Sequence, residues 1–210
     1  MAIVDIESKI NYEINWRTDE ISIVKTVPFL FNFSSEQREV LKKHSIPIFY
    51  SLLEGFVVEA FSIYTREVNN LKLSKDEICI NMLVHSIDMK HKLKQPRTDF
   101  EKQIDFIQEI DTYLKGSIEL SVNVPTESNV NYKVINNLFR RYNLQLISED
   151  PHKKRLDRLL FFRNKLSHGD HSIPVRQSDI DEMSLTVISS MHEISNRLLD
   201  GFRQKSYRKI

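Results

Sequence analysis

The chain has 210 residues, 40% of them apolar and 10% aromatic, with 4 glycines and 6 prolines, which is enough to bury one core and too few breakers for a disordered chain. Its 30 basic and 29 acidic residues leave a net charge of +1, so no overall field marks a nucleic-acid partner and only local clustering can supply one. A single cysteine, Cys79, excludes an internal disulfide and any zinc site built on two or more thiolates, while Gly55, Gly116, Gly169 and Gly201 stand too far apart for a P-loop, a dinucleotide-binding loop or a nucleophile elbow.

No apolar run approaches the roughly 18 residues of a membrane span, and the acid-bearing start MAIVDIESKINYEINW is unlike a signal peptide, so a cytoplasmic protein without a membrane segment is expected. Ile6, Ile10, Ile14, Ile21 and Val24 lie near one face of a first helix that should end around Pro28. Ser34 and Gln37 form a capping box for a long second helix, reaching about Leu71 with a kink at Pro47. Its middle is apolar nearly all round, as befits the centre of a bundle. Ser74 with Glu77 and Thr98 with Glu101 have the capping chemistry to open a third and a fourth helix, the latter closed by Gly116. SIELSVNVPTES alternates like a strand but has no partner strand nearby, and is read as a connection. A short helix around Val134 to Phe139 follows. Asp150 and Pro151 then cap a sixth helix that must stop near Gly169, and Ser178 opens the last, striped by Ile180, Met183, Val187, Met191, Ile194, Leu198 and Phe202. The expected fold is all-α: one helical domain over residues 1–200, then a basic tail over 201–210 that frays.

The informative segment is RLDRLLFFRNKLSHGD, Arg155 to Asp170. At about 100° per residue, Leu156, Leu159, Leu160, Phe162 and Leu166 share one broad arc with Arg163 in its middle. A guanidinium is rarely buried without a partner, so something anionic should meet it, and Glu54 and Glu59, which interrupt the apolar second helix, are the candidates. The bland alternative sends both carboxylates to solvent. Arg163, Asn164 and His168 converge near the C-terminal end of the sixth helix, a cation, an amide and an imidazole suited to gripping a phosphate and moving a proton. Basic residues also favour the last turn of any helix, which is the plainer explanation of the same pattern. Lys153, Lys154, Arg155, Arg158 and Lys165 give this helix a positive surface for RNA, which Arg140 and Arg141 could extend. Phe139 and Tyr142 could stack on bases, but aromatics at helical spacing more often belong to the core, which is the reading taken. No metal site is expected: His85, Asp88 and His91 sweep around a helix instead of converging, and His168, Asp170 and His171 form an incomplete set.

RNKLSHG resembles the signature of the HEPN superfamily (higher eukaryotes and prokaryotes nucleotide-binding), whose nucleases carry an arginine, four to six residues, then a histidine. IPIFYSLLEGFVVEAFSIYTREV, Ile46 to Val68, is similar to the aromatic-rich core helix of the stand-alone toxin-like branch, which carries E-G-F. The resemblance implies a bundle of four to five core helices that dimerises so that two R-x-x-x-x-H motifs face one cleft. The activity implied is that of a cofactor-free, metal-independent endoribonuclease, a toxin or defence effector with RNA as substrate and a cognate antitoxin as a further partner. In that chemistry the RNA's own 2′-hydroxyl attacks the adjacent phosphate and leaves a 2′,3′-cyclic phosphate. By position His168 would be the general base or acid, Arg163 the phosphate clamp, and Asn164 a residue orienting either the histidine or the phosphate. Glu54 matches the E-G-F pattern and would be the better partner for Arg163. A non-catalytic HEPN module that binds RNA, nucleotide or a protein is the first rival, and a structural helical adaptor with an internal Arg163 ion pair the second.

Overall fold

The computed structural model describes every residue except Met1, Lys94, Arg97, Glu127, Ser128, His171 and Ile210, together with the side chain of Ala2. Seven helices are found among the described residues, and no strand: α1 (Ala2–Leu30), α2 (Ser35–Asn69), α3 (Ile80–His91), α4 (Phe100–Tyr113), α5 (Tyr132–Arg141), α6 (His152–Ser167) and α7 (Gln177–Arg203). The protein is all-α.

The helix α2 is central because its apolar residues leave no polar face along most of its length. It packs against α1, α6 and α7, burying Phe49, Tyr50, Leu53, Phe56, Val57, Ala60, Phe61 and Tyr64 almost completely. Ser34 caps it as expected, with its hydroxyl accepting from Gln37 N and the Gln37 side chain accepting from Ser34 N. By length and composition alone α2 could cross a membrane, contrary to the expectation from sequence, and most of its apolar stretch is buried inside the bundle. The helices α3 and α5 pack together, with α5 also against α6, and an edge-to-face set of Phe61, Tyr64, Tyr142 and Phe202 joins α2, α5 and α7. The helix α4 buries no residue.

Several boundaries differ from the sequence expectations. Ser74 and Glu77 do hydrogen-bond each other, yet only a turn forms there and α3 begins at Ile80. The backbone groups that a helix would need are taken by the C-terminus: Cys79 N donates to Tyr207 O and Lys209 N to Glu77 O, each at 2.8 Å. The same bonds correct the expectation of a fraying tail, because Tyr207 is buried against Phe202 and Asn143 Nδ2 donates to Ser206 O. Asp99, not Thr98, caps α4, and Pro151, not Asp150, stands at the cap position of α6. The helix α7 starts after Arg176, whose N–H donates to the Asp179 carboxylate, and Ser178 lies inside it. The described part of SIELSVNVPTES is an extended connection fixed by Asn69, which brackets both backbone groups of Leu120, and by Ser62, which donates to Val122 O; Glu127 and Ser128 lie outside the described residues.

Candidate active site

The helix α6 lies against α2, with Leu156 and Leu159 buried and Leu160, Phe162 and Leu166 partly buried against the core. Arg163 sits in that apolar arc and is half-buried. Its companion is an aromatic ring: Arg163 Cζ stands 4.7 Å from the centroid of Tyr50 on α2. Neither acid proposed from sequence pairs with it. Glu59 is bonded to Arg66, two turns further along α2. Glu54 makes no ion pair among the described residues, and its charge is felt at Tyr50, whose hydroxyl pKa is pushed up to about 12 by burial and by Glu54, with Arg163 opposing. A Cβ at Gly55, beside Glu54, would meet the Arg17 side chain of α1 at 3.5 Å, an ordinary contact.

Asn164 turns towards Arg163 rather than towards His168, its Oδ1 accepting from Arg163 Nη1 at 2.9 Å. His168 caps the helix, its backbone N–H donating to Asn164 O at 3.1 Å while its ring is exposed. Gly169, at a φ of +76°, then reverses the chain, with Gly169 N donating to Leu166 O and Asp170 N to Lys165 O. A side chain at Gly169 would be strained in that left-handed backbone. One short stretch therefore presents a guanidinium and an imidazole on the open end of a helix.

The basic surface is narrower than its composition suggests. Lys153 is held by Glu149 at 2.5 Å and Lys165 by Asp170 at 3.4 Å. Arg158 is bonded to Asp179 at 2.5 Å and to Glu182, which ties α6 to α7. Lys154 and Arg155 are exposed and have no ion-pair partner among the described residues. Arg141 points elsewhere, to Asp88 and His85 on α3 at 3.0 Å each, and Phe139 and Tyr142 are fully buried. The described residues hold no cluster of three or more metal-ligating side chains: His85 and Asp88 meet Arg141, His91 meets Glu109, Asp170 accepts from Ser172, and His171 lies outside the described residues.

Sequence reasoning did not single out Tyr50. It stands in a stretch read only as apolar core, and the one available signal was its phenol in an otherwise apolar run.

The family model described as HEPN_MAE_28990-like HEPN matches residues 6–207. The chain belongs to the HEPN superfamily. No curated protein and no solved structure matches this HEPN chain. The match runs past residue 200, consistent with a C-terminal segment that packs on the HEPN core. Ribonuclease and nucleotide-related functions both occur under that superfamily name, so the residues of the site have to carry the choice between them.

Proposed function

We propose that this HEPN protein is a metal-independent endoribonuclease, a toxin or defence effector that cleaves cytoplasmic RNA as a homodimer. The observation that carries the proposal is the pairing, at the open end of α6, of a half-buried Arg163 that has no carboxylate partner among the described residues with an exposed His168. Cleavage needs no protein nucleophile. The 2′-oxygen forms a bond to the adjacent phosphorus while the bond from phosphorus to the 5′-oxygen breaks. The two His168 side chains of a dimer divide the proton transfers, one taking the 2′-hydroxyl proton and the other giving one to the leaving oxygen. Arg163 stabilises the charge gathering on the phosphate, a task for which the guanidinium fork is shaped. Lys154 and Arg155 supply attraction for the backbone, and Phe161, two residues before Arg163 and half exposed, is an apolar side chain that a second copy would cover. A cognate antitoxin would restrain such an enzyme in its host.

Inducible expression of wild type and His168→Ala in a bacterial host tests the proposal: growth arrest with wild type alone is expected, with RNA fragments appearing only in the arrested cells. Equal growth with both proteins at matched levels, with intact RNA, contradicts it. A non-catalytic module that binds RNA, nucleotide or a partner protein is the second reading, favoured by one observation: among the described residues no side chain holds the His168 ring. Saturable binding of RNA that remains uncut would select that reading.

A further inference from the structure

A cation set among leucines and phenylalanines needs compensation, and the manner of compensation decides what it can still do. A carboxylate would neutralise Arg163 and occupy its fork of donors, so that an incoming phosphate would have to displace it. An aromatic ring attracts the cation through its quadrupole and takes up no N–H donor. Arg163 has the second arrangement. Its Cζ lies 4.7 Å from the Tyr50 centroid, and among the described residues only Nη1 is engaged, by the neutral Oδ1 of Asn164.

We infer that Tyr50 is a positioning residue for Arg163, its ring carrying the guanidinium so that the charge and the remaining donors stay available to a phosphate; this rests on the ribonuclease reading above. Tyr50 is suited to the task because it is itself immobile, 1% exposed on the central helix and packed where α6 crosses α2. The ring rather than the hydroxyl is the working part, since the buried Oη makes no hydrogen bond of ordinary geometry. Glu54, one helical turn along α2, acts on the Tyr50 hydroxyl through its charge but makes no ion pair with Arg163, and so occupies none of its N–H donors.

Two variants separate this role from simple packing. Tyr50→Leu keeps an apolar side chain and loses the ring, while Tyr50→Phe keeps the ring and loses the hydroxyl with its weak interaction with the Val130 backbone. With both folded at the assay temperature by far-UV circular dichroism, Tyr50→Leu should lose about ten-fold in kcat with KM nearly unchanged, and Tyr50→Phe should restore kcat to within about two-fold of wild type. A second readout does not depend on turnover. In the full chain carrying ¹⁵N-labelled arginine, the Arg163 Nε–H resonance should lie upfield under the ring and move on titration with inorganic phosphate, both properties surviving in Tyr50→Phe and vanishing in Tyr50→Leu. Wild-type kcat in Tyr50→Leu, or an equal loss in Tyr50→Phe, overturns the inference. Should wild type cut no RNA, the ribonuclease reading falls by itself, and the resonance decides: an Arg163 signal indifferent to phosphate overturns the positioning role, and one that responds only while the ring is present supports it. The resonance also decides if Tyr50→Leu fails to fold, since a wild-type Arg163 signal that is not shifted by a ring overturns the inference without any variant.

Discussion

Replacing Arg163 by alanine separates a phosphate-binding arginine from a structural one, and the contacts set the size of the effect. The substitution removes a cation–π contact with Tyr50, worth about 0.5–2 kcal/mol depending on how far the cation is desolvated. It also removes one hydrogen bond to Asn164, worth about 0.5 kcal/mol here because the half-exposed amide can turn to water instead. Among the described residues no buried carboxylate is orphaned, since Glu59 is bonded to Arg66 and Glu54 makes no ion pair there. The total is about 1–2.5 kcal/mol, which at about 2–4 °C per kcal/mol for a chain of this size predicts a fall in Tm of about 2–10 °C. Breaking a buried ion pair would instead cost about 3–5 kcal/mol and lower Tm by about 6–20 °C, so the free energy from urea midpoints separates the two cases more sharply than Tm alone. Thermal melts at one fixed protein concentration, so that any dimer contributes equally, together with urea midpoints, distinguish the two. A loss beyond about 10 °C would refute the contact geometry and revive the structural adaptor. The same variant should lose on the order of a hundred-fold or more in RNA cleavage, far more than its change in stability explains.

Burial, and Arg141 beside it, lower the pKa of His85 from 6.5 to about 4, with Asp88 only partly offsetting them. The unfolded chain takes up the proton first, so the stability associated with neutral His85 is complete above about pH 6.5 and is lost as pH falls towards 4, by up to about 3 kcal/mol. Urea midpoints should therefore drop across that window and His85→Gln should flatten the drop; an identical slope in the variant contradicts the assignment. Lys154→Ala and Arg155→Ala should each reduce the salt dependence of single-stranded RNA binding by about 0.7 in log–log slope, and Lys153→Ala, already held by Glu149, by less. Unchanged slopes in the first two would place the RNA path elsewhere. Arg158→Met should lower stability by about 1–3 kcal/mol by stripping Asp179 of its charged partner, with RNA affinity affected little; a change in affinity without a change in stability would return Arg158 to the binding surface.

What was legible in the sequence was local. The Ser34–Gln37 box, the apolar girth of α2 and the stop at Gly169 depend on residues within a few positions of one another, and all three stand as expected. The same box at Ser74 and Glu77 forms its hydrogen bonds and still opens no helix, because backbone groups there pair with Tyr207 and Lys209, some 130 residues away in the chain. Distance in sequence also hid the use made of the charges. Arg158 reads as a surface cation until Asp179 and Glu182 arrive from α7. Arg163 lies in the apolar arc that its position predicts, but helical periodicity does not show whether a carboxylate or the face of a ring meets the guanidinium, and here it is the ring of Tyr50. Glu59 had a local answer in Arg66, seven residues on and on the same face of one helix.

If Arg163 and His168 cleave RNA by way of its own 2′-hydroxyl, removing that hydroxyl must stop them. Purified wild type and His168→Ala are incubated with an RNA and with the same RNA carrying a 2′-deoxy substitution at the cut position, in the presence of a chelator, followed by end-group analysis. Wild type alone should give 2′,3′-cyclic phosphate and 5′-hydroxyl ends, and none at the deoxy position, if this 2′-hydroxyl chemistry is right. Cleavage by His168→Ala at the wild-type rate, cleavage at the deoxy position, or no cleavage by a folded dimeric wild type on any RNA that it binds would contradict it.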